Sequence, residues 1–113
     1  MKGGVISTVV GNGTCGFSGD NGPPKKAMIC GPSGGAVDSK NNFYLGDYLN
    51  SRVRKVSSAG IITTSAGTGN VGYNGDGLPA TSTNVDGPTA LGVSPANVLY
   101  VVDDGQYRVR KIQ

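Results

Sequence analysis

GPSGGAVDSKNNFYLGDYLNSRVRKVSSAGIITTSAG, residues 31–67, decides the fold. Four strand candidates lie within it, at 32–37, 41–47, 51–57 and 60–66; the last three carry Phe-Tyr, two valines and Ile-Ile-Thr-Thr, the first ends on Ala-Val, and Gly, Asn, Asp or Ser stands at each break. Short β-favouring runs separated by turn formers read as consecutive strands joined by tight connections, so the segment is expected to form one antiparallel sheet.

The stretch is one copy of a repeat. Shifted by 56 residues, positions 4–56 align with 60–112 without a gap, and 19 of the 53 pairs are identical. A fixed period of this length marks a repeat architecture with one supersecondary unit per period, and four short strands per unit are those of a β-propeller blade. The second copy carries GPTALGV, NVLYVVD and YRVRKI and then stops at Gln113, while GVISTVVG at the N-terminus matches GIITTSAG, the fourth strand of the first copy. Residues 1–113 therefore read as two blades permuted by one strand, with repeat units 4–56 and 60–112 and an N-terminal strand over 4–10.

That strand is expected to complete the last blade of a neighbouring chain. One intervening blade spans too little of a circle for residues 4–10 to reach their own chain's last three strands. Two blades alone would also leave apolar faces and strand edges open, and such edges invite pairing with another chain. Head-to-tail contacts of this kind close into a ring when the rotation permits. The fold class is accordingly all-β, two four-stranded blades per chain completing a propeller by homo-oligomerisation. The breaks at strand boundaries also fit a piece excised or engineered from a longer protein.

Composition agrees. Glycine supplies 20 of 113 residues, without a collagen period, and histidine and tryptophan are absent. The net charge of +3 is too small to mark a nucleic-acid binder. No apolar run approaches the roughly 18 residues that span a bilayer, so no membrane partner is expected.

The order G-P, A-V-D, a Tyr-bearing strand, Asp and R-V-R-K resembles NHL repeats over nearly the whole chain. The resemblance implies a six-bladed propeller, hence three copies of this chain per ring, with four or five copies as the alternatives. The second copy departs from the pattern at Ser94, where the first has Asp38, and at Asp104-Gly105, where the first has Tyr48-Leu49.

Two glycine-rich inserts, GNGTCGFSGDNGPPKKAMICG and GTGNVGYNGDGLPATSTNVDG, each place an aromatic before Gly-Asp: Phe17 with Asp20, and Tyr73 with Asp76. The short Asp side chains suit turn-fixing bonds to nearby amides. Alternatively the four residues line one rim of the ring and contact a ligand, since loops on rigid scaffolds often bind. One carboxylate per loop falls short of a calcium site. Cys15 and Cys30 bracket the first insert, with Val71 and Asp86 in their places in the second. A loop-pinning disulfide is the preferred reading and free thiols the other, while a zinc site would lack ligands without histidine.

Arg52, Arg54 and Lys55 recur as Arg108, Arg110 and Lys111. One reading pairs the arginines with Asp47 and Asp103, with Val53 on the opposite strand face. The other takes them as basic stripes for RNA, a ligand of some NHL proteins. Catalysis has little support, because no histidine and no recognisable nucleophile or carboxylate-pair motif is present. Some NHL-like propellers are lyases that use histidine metal ligands, which this chain lacks. The leading expectation is a scaffold without cofactor, metal or catalytic residue, binding itself and a protein, peptide or glycan, with RNA binding as the runner-up.

Overall fold

The computed structural model describes residues 3–113. It is all-β: a four-stranded antiparallel sheet of β1 (Pro32–Val37), β2 (Phe43–Asp47), β3 (Arg52–Val56) and β4 (Ile62–Ala66), then a three-stranded sheet of β5 (Pro88–Val93), β6 (Leu99–Asp103) and β7 (Arg108–Ile112). In both sheets spatial order follows chain order.

The strands are shorter than the sequence suggests because the turns claim their ends. Asp38 accepts bonds from the amides of Lys40 (2.9 Å) and Asn42 (3.0 Å), the Asn42 side chain (2.9 Å) and the Tyr44 hydroxyl (3.1 Å), so 41–42 belong to the β1–β2 turn. Between β2 and β3 a 3-10 turn over Tyr48–Asn50 ends on left-handed Ser51, and Asp104–Gln106 ends likewise on Tyr107. Single irregularities in register fall between Pro32 and Gly35, Val53 and Arg54, and Pro88 and Ala90.

Asp38 is held to a pKa of about 2, chiefly by the Asn42 side chain, with further amide bonds overcoming some desolvation. A carboxylate lowered in the fold stabilises it above its ordinary value of 3.8, and that contribution is lost as pH falls through about 2. Asp38→Asn is therefore expected to flatten the acid limb of stability between those values, as followed by urea midpoints against pH. An unchanged limb would refute the role.

The sheets stack with β1 against β5, and Ser33 Oγ donates to the carbonyl of Pro88 across the junction. Strand alternation sends Tyr44 and Val53 of the first sheet toward the second, where Val53 and Ala66 bury against Val85, Leu99 and Val101. The opposite face of the first sheet buries Val56 and Ile62 under Ala27 of the first insert, with Phe43 and Val10 beside them.

Residues 4–10 join neither sheet, and Val5, Ile6 and Val9 are exposed. The outer edge of β7, which corresponds to the β3 edge covered by β4, carries no strand among the described residues.

Candidate functional site

Each insert folds back onto the third strand of the sheet it precedes, and a buried arginine holds it there. Arg54 donates through Nη1 to Asp47 (3.0 Å) and the Met28 carbonyl (3.3 Å), and through Nη2 to Asp20 (2.9 Å) and the Ser18 carbonyl (3.0 Å). A planar guanidinium can meet two carboxylates and two carbonyls at once, which a lysine could not. Asp47 is completed by the Cys30 amide (2.8 Å) and Asn50 Nδ2 (2.9 Å), and Thr64 closes Asp20 from β4 (2.7 Å). Phe17 lies under the guanidinium of Arg52, 3.7 Å from its ring centre, and 4.6 Å from that of Arg54. Gly19 adopts φ +92°, and a side chain there would collide with Ala27, so the Gly-Asp pair lets the loop close against the sheet. Cys15 and Cys30 form a disulfide across the insert.

In the second insert the arginine keeps all four bonds, with the carbonyls of Asn84 (3.4 Å) and Gly75 (3.0 Å) as its neutral acceptors, but the bonds made by Asn50 and Thr64 have no counterpart among the described residues. Arg110 reaches Asp103 (3.2 Å) and Asp76 (3.0 Å), and Tyr73 lies under Arg108 at 3.8 Å. The Tyr73 hydroxyl donates to Asp76 (3.1 Å). Where the first insert has its disulfide, Asn84 ties the loop through Thr68 (2.6 Å), the Gly72 carbonyl (2.9 Å) and Asn74 (2.8 Å). Asp103 lies buried, and desolvation raises its pKa against the opposing bonds from the Asp86 amide and Arg110.

Gln106 stands where the first unit has Asn50, and its side-chain nitrogen and oxygen are both buried without a partner. Shortening it by one methylene should let it reach Asp103, as Asn50 reaches Asp47. Gln106→Asn is expected to stabilise the chain by about 1 kcal/mol, measured by urea unfolding. A loss of stability would refute this.

The structure thus places Phe17, Asp20, Tyr73 and Asp76 in the knots that hold the inserts down. The RVRK runs are not continuous basic stripes. Arg52 and Arg54 lie on the insert face while Lys55 turns to the other, 6.0 Å from the Tyr44 ring, because strand side chains alternate. Arg54 is fully buried and Arg110 nearly so, while Arg108 and Lys111 are exposed. Among the described residues no three His, Cys, Asp or Glu side chains gather as metal ligands. Thr64 and Asn84 escaped the sequence reading, although the identity of Thr8 and Thr64 in the repeat is a signal for the former.

Two grooves flank these knots. One, of about 620 Å³, runs along the outer edge of β7 and is lined by Asp76, Leu78, Thr83, Val109, Ile112 and their neighbours. The other, of about 750 Å³, lies between Val10–Cys15, Lys25, Ile29 and Pro32.

No family model and no curated protein matches the chain. Solved structures do. An auxiliary nutrient binding protein from Bacteroides thetaiotaomicron VPI-5482 is 27% identical with a TM-score of 0.74, over 93% of this chain and 28% of that one. A protein from the same organism named "Putative phosphatase" gives the same identity and score over 93% and 26%. A structural genomics protein of unknown function, also from that organism, is 23% identical with a TM-score of 0.74 over 86% and 26%, a likeness of fold alone. This chain thus spans about a quarter of each, and it shares its all-β fold with segments of these longer Bacteroides proteins.

Proposed function

We propose that the chain is a non-catalytic β-propeller scaffold that assembles head to tail, each copy lending residues 4–10 as the fourth strand of its neighbour's second sheet. The two sheets are then blades, and the NHL-like pattern favours six of them from three chains. The observation that carries this reading is a mismatch between equivalent positions of the repeat. Ile62 and Val53 are 0% exposed in the four-stranded sheet, while their counterparts Ile6 and Val109 are 95% and 65% exposed. An Ile and a Val so open remove little apolar surface from water, and pairing them in a second copy recovers it.

A binding role for the assembled ring is supported by the nutrient binding name of one similar structure. Against a hydrolytic role stand the absence of histidine and the commitment of Asp20, Asp47, Asp76 and Asp103 to arginine pairs. The ligand contacts then fall to rim or channel positions outside the knots.

Light scattering after size exclusion, or native mass spectrometry, across protein concentrations tests the assembly. Three times the 11.4 kDa chain mass is the expected species. A folded monomer at every concentration would overturn the reading.

A further inference from the structure

We infer that the two grooves are the two halves of one interface between copies of this chain, with a register set by the contacts its own two sheets already make; the inference rests on the assembly proposed above. In the first sheet Ile62 packs with Ala27 and Val56, its neighbour Gly22 pairs with it, and Thr64 closes Asp20. Adding 56 to each acceptor gives Thr83, Ile112, Leu78 and Asp76, which all line the groove along β7. Subtracting 56 from each donor gives Ile6 and Thr8, identical residues in the exposed N-terminal segment. Carried over, the β3–β4 pairing sets Ile6 of a second copy opposite Ile112, Ser7 opposite Lys111, and Thr8 opposite Arg110. The Thr8 hydroxyl then donates to Asp76, whose side chain is 75% exposed where that of Asp20 is 32%.

The second groove receives the other side of the same neighbour. Within the chain Arg52 Nη2 donates to the Thr68 carbonyl at 3.0 Å, while among the described residues Arg108 makes a hydrogen bond to its own Gln106 carbonyl and no other. The counterpart of Thr68 is Asn12, which lines the second groove, so Arg108 of one copy meets the Asn12 carbonyl of the next. Ser51 is buried beside Gly67, and its counterpart Tyr107, fully exposed here, comes to lie against Gly11.

The copy-to-copy junction cannot match the internal one near β1 and β5. Gly46 packs so closely on Ser33 and Pro88 that a side chain would collide, Gly34 sits tight against Thr89, and Val102 and Ala90 stand in their places. Pro95 replaces Ser39, whose amide bonds Asn97 across the internal junction, and proline has no such amide. The junction between copies is therefore wider at the inner strands, and its fixed register comes from the outer pairing and from Arg108.

Cysteines at Ser7 and Lys111 test the register without touching a core. The double variant S7C/K111C, oxidised gently, should give reductant-sensitive covalent multimers in which peptide mass mapping joins residue 7 of one chain to residue 111 of another. The pair V5C/K111C, displaced by two residues on the same strand face, should link at least tenfold less. Equal linking by both pairs, or none by S7C/K111C in a protein whose mass shows a multimer, overturns the register while the assembly stands. A monomeric wild type overturns both. As a check that needs no cysteine, Arg108→Ala should weaken the multimer about tenfold, and a multimer unchanged by R108A refutes the second half of the interface.

Discussion

Ile6→Asp is expected to leave the chain folded and to abolish its assembly. Ile6 is almost wholly exposed within its own chain, so a carboxylate there meets water and costs the monomer nothing measurable. In the proposed assembly the same position would lie between Thr83 and Ile112 of a second copy, the counterpart of the closed site that Ile62 fills. Burying an unpaired polar or charged group costs about 3 kcal/mol or more, on the order of 100-fold per junction. Size exclusion with light scattering should show the variant as a monomer at concentrations where the wild type is expected to assemble, with an unchanged far-ultraviolet spectrum. Ile62→Asp should instead unfold the chain, because Ile62 is buried internally. A variant I6D of wild-type mass would show that residues 4–10 do not complete a neighbour.

The strands were legible because β-branched runs and glycine punctuation say the same thing, and the 56-residue offset then transferred each strand from one unit to the other. Their ends were less so: Asn41 adopts φ +63° in a turn fixed by Asp38, and the run 41–47 gives no sign that its first two residues belong there. The Asp47–Arg54 and Asp103–Arg110 pairs could be anticipated from cross-strand proximity. The second carboxylate on each arginine could not, since Asp20 lies 34 residues from Arg54 and only the folded insert brings them together. Phe17 and Tyr73 look like ligand contacts in sequence for the same reason that they serve as clamps: an aromatic beside glycines is an accessible flat face, and a guanidinium takes it first. Gln106 was illegible because it keeps the polarity of Asn50 while adding one methylene, a difference that matters only when both Asp103 and its surroundings are buried.

Arg54→Ala is expected to be the most damaging single substitution outside the apolar core. It leaves Asp47, completely buried, without its cation, and it frees Asp20 and the carbonyls of Ser18 and Met28. Removing one partner of a buried ion pair typically costs about 3–5 kcal/mol, because the remaining charge stays desolvated. Loss of the contact to Phe17 adds to this, and the first insert should loosen as a unit, its ends still joined by the Cys15–Cys30 disulfide. Urea unfolding at fixed protein concentration should show the loss, and hydrogen exchange should rise across residues 11–31. Arg54→Lys should fall between wild type and alanine, since an ammonium keeps the charge for Asp47 but cannot span both carboxylates and both carbonyls. Arg110→Ala should cost less than Arg54→Ala in the monomer, because Asp76 is already open to water and only Asp103 is left buried. A loss below about 1 kcal/mol for Arg54→Ala, the range of an exposed pair, would mean that the disulfide and backbone bonds hold the insert without the guanidinium.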